Sequence, residues 1–244
     1  MNKLLVQNTK AKFIQNLMYC QVQDSNIVGS ILNNNLYQIY YSYNPTHIVF
    51  SADNITPEIS QFISDFSTNI KCFIFHDQIN FAILNNFESF PVYNITNAEI
   101  TNPKNNNIIY PKNMINSQLF YKTNNLPKHE SMVCFLDNQA MPNEKLSNYL
   151  YPNTKLPIKL FNNVSGHNYQ NLGVLNERQK AKVLQNNKYY LSLENNKSDY
   201  CVEASVCGCH VVSLENIEDY QSVPYNDPPD TIEYQTFIKE RILI

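Results

Sequence analysis

Glycine is nearly missing from this chain: there are four in 244 residues. Neither GxGxxG nor GxxxxGK occurs. Both motifs use glycine to let backbone N–H groups close on a phosphate, so a standard dinucleotide fingerprint and a phosphate loop are excluded. A helix N-terminus remains as a phosphate receiver that needs no glycine. Charged residues are also scarce, at 16%, and the net charge of −3 with a pI near 5.9 gives no whole-chain footprint for nucleic acid or an anionic membrane. No apolar run approaches the ~18 residues of a membrane-spanning helix, and MNKLLVQNTKAKF at the amino end lacks the apolar stretch of a signal peptide. The expectation is a soluble, cytoplasmic protein without a membrane span. Heptads and internal repeats are absent as well.

Apolar material, by contrast, is ample. Hydrophobic residues make up 43%, with 17 Tyr and 13 Phe, enough for buried cores and too much for disorder. Six cysteines sit mostly in apolar runs such as KCFIF and MVCFL, where reduced thiols pack as small hydrophobes. Asn-x-Ser/Thr triplets at Asn54, Asn94, Asn163 and Asn196 are what chance gives in so Asn-rich a chain.

Short apolar runs alternate with stretches of helical spacing, which predicts α/β construction. THIVFS (46–51) reads as a buried strand. Thr56 then caps a helix with Pro57 in its first turn, and Ile59, Phe62, Ile63 and Phe66 share one face. KCFIFH (71–76), FAIL (81–84), FPVYN (90–94) and NIIY (107–110) read as further strands. A polar stretch, YKTNNLPKHE (121–130), places a linker between an amino-terminal domain (1–125) and a carboxy-terminal domain (126–244). In the second half, strands are expected at 131–136, 157–161, 171–175, 188–193 and 210–214. Leu146, Tyr149 and Leu150 share a helical face, Asn176 with Gln179 forms a capping box, and a last helix covers Thr231 to Ile242.

DYCVEASVCGCHVVSL (199–214) packs three cysteines and a histidine into ten residues, an invitation to zinc. A helix over about 199–207 with Gly208 as its stop separates Cys201 from Cys207 by roughly 9 Å of rise, so those two do not close on one ion. Cys207, Cys209 and His210 remain adjacent but lack a second knuckle. A small metal-binding protein is the lesser reading and buried thiols the simpler one.

The surrounding residues carry a different signal. SLENNKSDYCVEASVCGCHVV (192–212) resembles the donor-site signature of GT-B glycosyltransferases, particularly the large retaining group that reads roughly SxxEgfGxxxxEAmAcGxPVV. Upstream, NLGVLNERQKAKVLQNNKYYLSL (171–193) is similar to flGxvsxeelxxlyxxadxxlxPS. IIYPKNMINSQLF (108–120), MVCFLDNQAMPNEK (132–145) and FIFHD (73–77) resemble, more loosely, the family's interdomain junction, its first carboxy-domain strand and loop, and its strand-end histidine.

The resemblance implies two Rossmann-like domains facing a cleft, reduced in size, and transfer of a sugar from a nucleoside diphosphate sugar, UDP-linked for example, to an acceptor hydroxyl. That acceptor is a glycan, a lipid or a protein. It implies no cofactor and no metal, because basic side chains and a helix dipole neutralise the leaving diphosphate, and it implies retention at the anomeric carbon. Carried onto this chain, Lys145, Lys197, Ser198 and the helix start at Asp199 meet the diphosphate, and Glu203 accepts from the ribose hydroxyls. Backbone at Val174 and Leu175 receives the base. His76 faces the transferred sugar, and Glu194 stands for the first of the paired glutamates, one residue out of register. Each has a plainer alternative: His76 as a satisfied strand-end histidine, Lys145 and Lys197 as solvated charges. Glu203, among alanine and valine, is costly unless paired or used. A catalytically inactive binding or scaffold protein on the same fold stands as the alternative.

Overall fold

The computed structural model describes residues 1–31, 35–98, 106–111, 113–123, 127–136, 156, 158–161, 173–193, 199–225, 227 and 229–244. The chain forms two compact units, Met1–Asn116 with Ile232–Ile244, and Ser117–Thr231. The dividing point thus lies at 116/117, ahead of the polar stretch read as a linker, and the last thirteen residues belong with the first unit. No helix among the described residues is long and apolar enough to cross a membrane.

In the first unit, strands and helices alternate: β1 (Asn2–Gln7), α1 (Lys12–Tyr19), β2 (Ser25–Ser30), α2 (Leu36–Tyr43), β3 (His47–Ser51), α3 (Pro57–Phe66), β4 (Lys71–Phe75), α4 (Phe81–Asn86), β5 (Val92–Thr96) and β6 (Asn106–Ile109). The strands pair in parallel in the order β2-β1-β3-β4-β5-β6. Period-two alternation gives the sheet two apolar faces. Leu4 and Val6 of β1 join Phe13, Ile14 and Leu17 of α1 on one side, while Leu5 joins Leu36, Ile59, Phe62 and Ile63 of α2 and α3 on the other. Thr56 caps α3 by accepting from the Ile59 N–H, as its sequence predicts.

FAIL (81–84) is helical, contrary to its reading as a strand. Asn80 caps α4 by accepting from the Ile83 N–H, and Phe81 stays exposed; four apolar residues alone do not distinguish a helix turn from a strand. The returning segment is anchored by β12 (Ile232–Glu233), which pairs in parallel with β7 (Met114–Ile115). A helical turn, α7 (Tyr234–Phe237), follows and runs into a π-helical stretch (Ile238–Ile242), and Tyr234, Phe237, Ile238 and Ile242 pack into the same core as α1.

The second unit holds β8 (His129–Phe135), β9 (Ile158–Phe161), α5 (Glu177–Asn186), β10 (Asn187–Ser192), α6 (Asp199–Val206) and β11 (His210–Ser213), with the parallel order β11-β10-β8-β9. Asn176 and Gln179 form the expected capping box on α5. Residues 173–175 are irregular instead of a strand, and Gly173 takes φ +85° there. The helical face at Leu146, Tyr149 and Leu150 lies outside the described residues. Gly208 (φ +79°) ends α6 as the sequence predicts, and a Cβ at that position would meet Lys122 carbons at 3.2 Å.

Lys128 ties this unit together. Its Nζ donates to the carbonyls of Leu184 (3.1 Å), Asn187 (3.2 Å) and Cys207 (2.7 Å), joining the ends of α5 and α6 to the start of β8. Lys128→Met keeps the side-chain length and strips three carbonyls of a charged donor. It is expected to cost about 1–3 kcal/mol, read as a lower urea midpoint for the second unit; a midpoint within experimental error of wild type would refute the role.

Candidate functional site

In a parallel α/β sheet, ligands collect at the carboxyl ends of the strands where the strand order reverses. Among the described strands each unit has one such point: between β1 and β3 in the first, and between β8 and β10 in the second.

In the first unit the point is occupied by the chain's own amide. Gln7, 4% exposed at the end of β1, accepts from the Ser51 N–H (2.8 Å) and donates to the Asn54 carbonyl (3.2 Å). Two strands along, His76 follows β4 and is 1% exposed. Its Nε2 lies 3.0 Å from Asn94 Oδ1, and its Nδ1 receives a long hydrogen bond, 3.5 Å, from the Asn80 N–H. Nδ1 as acceptor leaves the proton on Nε2, which then donates to Asn94. Both ring nitrogens are therefore engaged, and the ring as placed meets buried protein instead of an open cleft. Burial pushes its pKa below the ordinary value.

The second unit's reversal point is organised differently. α5 and α6 begin after Leu175 and after β10, and their first turns are joined by three side chains. Glu177, 1% exposed, lies 3.1 Å from Lys180 Nζ, and the Tyr200 hydroxyl donates to it at 3.1 Å. Lys180 also contacts the Tyr200 hydroxyl and sits 4.2 Å from that ring's centroid. Phe135, the last residue of β8, meets Tyr200 edge-on at 5.1 Å. None of Glu177, Lys180 and Tyr200 stood out in the sequence, although the Glu177 and Lys180 spacing of three just after a capping box was a usable signal.

Glu203 lies one turn into α6 and is 2% exposed. Val174 is 58% exposed and Leu175 half-buried, immediately before the α5 cap. The structure thus links the 173–180 segment to α6 and brings Val174, Leu175 and Glu203 into one unit with the Glu177, Lys180 and Tyr200 cluster. Lys145, Glu194, Lys197 and Ser198 lie outside the described residues, as does the side chain of Asp199.

The cysteine cluster does not gather ligands. Cys209 Sγ donates to the carbonyls of Leu184 (3.1 Å) and Asn187 (3.3 Å), and burial raises its pKa to about 11 despite the Lys128 ammonium at 3.6 Å. Burial raises the pKa of Cys207 too, while His210 Nδ1 lies 3.3 Å from the Val223 carbonyl. A thiol held protonated makes a poor ligand. Among the described residues, no group of three or more His, Cys, Asp or Glu is placed to hold a metal ion.

No protein-family model matches the chain, and neither does any curated protein.

The two buried histidines of the first unit make a pH prediction. Burial and the nearby Lys71 charge lower the pKa of His47 from 6.5 to about 4, and His76 is lowered also. The unfolded chain takes up these protons near pH 6.5 and the folded chain only further down, so the unfolded state binds more protons in between. Stability is expected to be full above about 6.5 and to fall as the pH drops toward 4. Melting temperatures across that range test this, and His47→Gln should flatten the slope; an unchanged slope in that variant would remove His47 from the account.

Proposed function

We propose that the protein is a compact GT-B-like glycosyltransferase whose second unit binds a nucleoside diphosphate sugar. The observation that carries the reading is the position of α6: it is the helix that follows β10, its first turn meets Phe135 at the end of β8 through Tyr200, and the buried Glu203 lies one turn in. A helix start at that point offers oriented N–H groups and about half a positive charge to a diphosphate. Lys197, Ser198 and Lys145 add a donor and cations on the family pattern, Val174 and Leu175 present backbone to the base, and Glu203 takes the ribose. Group transfer to an acceptor hydroxyl then proceeds by stabilising the departing diphosphate, with Glu194 in the family's sugar-facing role. The return of 232–244 to the first unit also supports this reading, because a carboxy-terminal helix crossing back is common in the architecture.

A non-catalytic binding protein of the same architecture is the second reading. It is favoured by the two engaged nitrogens of His76 and by the Gln7 amide at the first unit's reversal point.

A thermal-shift screen with UDP, GDP, ADP and their sugars separates nucleotide binders from non-binders. A ligand at a hundredfold its Kd stabilises by about 2.7 kcal/mol, an easily read rise in Tm. One nucleotide is expected to raise Tm in the wild type and not in the isosteric Glu203→Gln variant. Silence from every nucleotide with well-folded protein would sink the donor site, and binding without sugar turnover would select the second reading.

A further inference from the structure

We propose that a pocket at the amino-terminal edge of the six-stranded sheet binds a neutral, polyhydroxylated ligand, a sugar ring or a comparable polyol. It lies at the opposite end of the strands from the reversal point and involves the first unit alone. Its volume is about 480 Å³, within the range of small-molecule sites, and its walls are the starts of β1, β3 and β4, the residues after α3, the approach to β5 and the last two residues.

Two of its lining residues are buried polar groups with a poorly satisfied atom. His47 and Ser67 are each 5% exposed; Ser67 Oγ has no hydrogen-bond partner among the described residues, and His47 Nε2 has none of good geometry, the ring's further acceptor being the Ile244 backbone on the same wall. The other ring nitrogen of His47 is taken, 2.7 Å from Thr46 Oγ1. A buried polar atom left without a partner costs about 1–3 kcal/mol, and folded proteins keep few of them. Two on one pocket wall point to a group that is meant to meet them.

The chemistry of the wall selects the class of ligand. Lys71 repels a cation. Ser67 is the C-cap of α3, so the negative end of that helix dipole faces the same space and disfavours an anion. His47 is neutral at pH 7, and a neutral imidazole nitrogen either donates or accepts according to its tautomer, as a serine hydroxyl does by rotating. A ligand hydroxyl answers both, since it too donates and accepts. Tyr93 supplies a face for the C–H side of a sugar ring. It is stacked on Phe73 at 5.1 Å, and Phe73 is stacked in turn on His47 at 6.2 Å, which holds the ring in place. Asn2 and Thr68 complete the polar rim.

The pocket shares no residue with the proposed nucleotide site. Saturation-transfer NMR on the full chain with glucose, galactose, N-acetylglucosamine and maltose tests the proposal, with inorganic phosphate and acetate as the anionic probes. At least one neutral sugar is expected to bind saturably. Thr68→Trp, at an exposed position on the rim, fills the pocket and should weaken that binding at least tenfold, and Ser67→Ala several-fold. The Thr68→Trp protein keeps any Tm response to nucleotides, so failure here is distinct from failure of the donor site. Absence of sugar binding, sugar binding indifferent to Thr68→Trp, or phosphate or acetate binding in place of sugar would each overturn the proposal.

Discussion

A parallel sheet covered by helices on both faces leaves polar side chains mainly its strand ends, Asn94 in β5 and Ser131 in β8 being the buried exceptions here. Backbone donors and acceptors inside the sheet are used by neighbouring strands, and both faces are mostly apolar. Side chains with chemistry therefore collect at the two edges. In the first unit, Gln7, Ser51, His76 and Thr96 stand at or just beyond carboxyl ends of strands, and His47 and Lys71 at amino ends. In the second, Ser192 and Ser213 close their strands, and Lys128 sits just ahead of β8. The two edges are not equivalent. Helices start at the carboxyl edge and finish at the amino edge, so the first carries positive dipole ends and the second negative ones.

The parts of this fold legible in the sequence were those with a local cause. The Thr56 cap with the Ile59, Phe62 and Ile63 stripe, the Asn176 and Gln179 box and the Gly208 stop each depend on residues within a turn or two of one another. FAIL failed because its outcome was decided by Asn80, one residue outside the run, and by the exposure of Phe81. The first forty-five residues escaped a reading of their elements. β2 is a half-exposed edge strand with no clean alternation, and α1 is an eight-residue helix without a side-chain cap, so neither announces itself. β7 and β12 are two residues each and exist only because residues 114–115 and 232–233 meet.

The sites were less legible than the fold for the same reason. Gln7 matters through Ser51 and Asn54, 44 and 47 residues away, and Glu177 through Tyr200, 23 residues away. A glutamine at the end of a strand gives no hint of what will stand beside it. Of the residues suggested by family resemblance, Glu203 lies on a helix that local rules predict, whereas Val174 lies on an irregular segment where a strand is expected, because Gly173 turns the chain at φ +85°. His76 was correctly put at a strand end, but whether its ring faces a cleft or Asn94 is decided by a residue on the next strand.

The scarcity of glycine constrains what remains. Gly208 ends α6 and Gly173 takes a left-handed turn ahead of α5, which leaves Gly29 and one further glycine in the chain. Close approach of a phosphate through a glycine loop is therefore closed to both units. A phosphate must be met by a helix start and by side chains reaching over it. The first unit has already spent its reversal point on Gln7, whose amide satisfies the very backbone groups a ligand would have used. In the second, the buried Glu177, Lys180 and Tyr200 cluster braces two helix starts against each other. Such bracing fixes the two helix starts relative to each other, which lowers the ordering left to any group that meets them. The asymmetry between the units thus follows from which buried side chains each places at its reversal: an amide that closes the point in the first, and an ion pair with a phenol that braces two helix starts in the second.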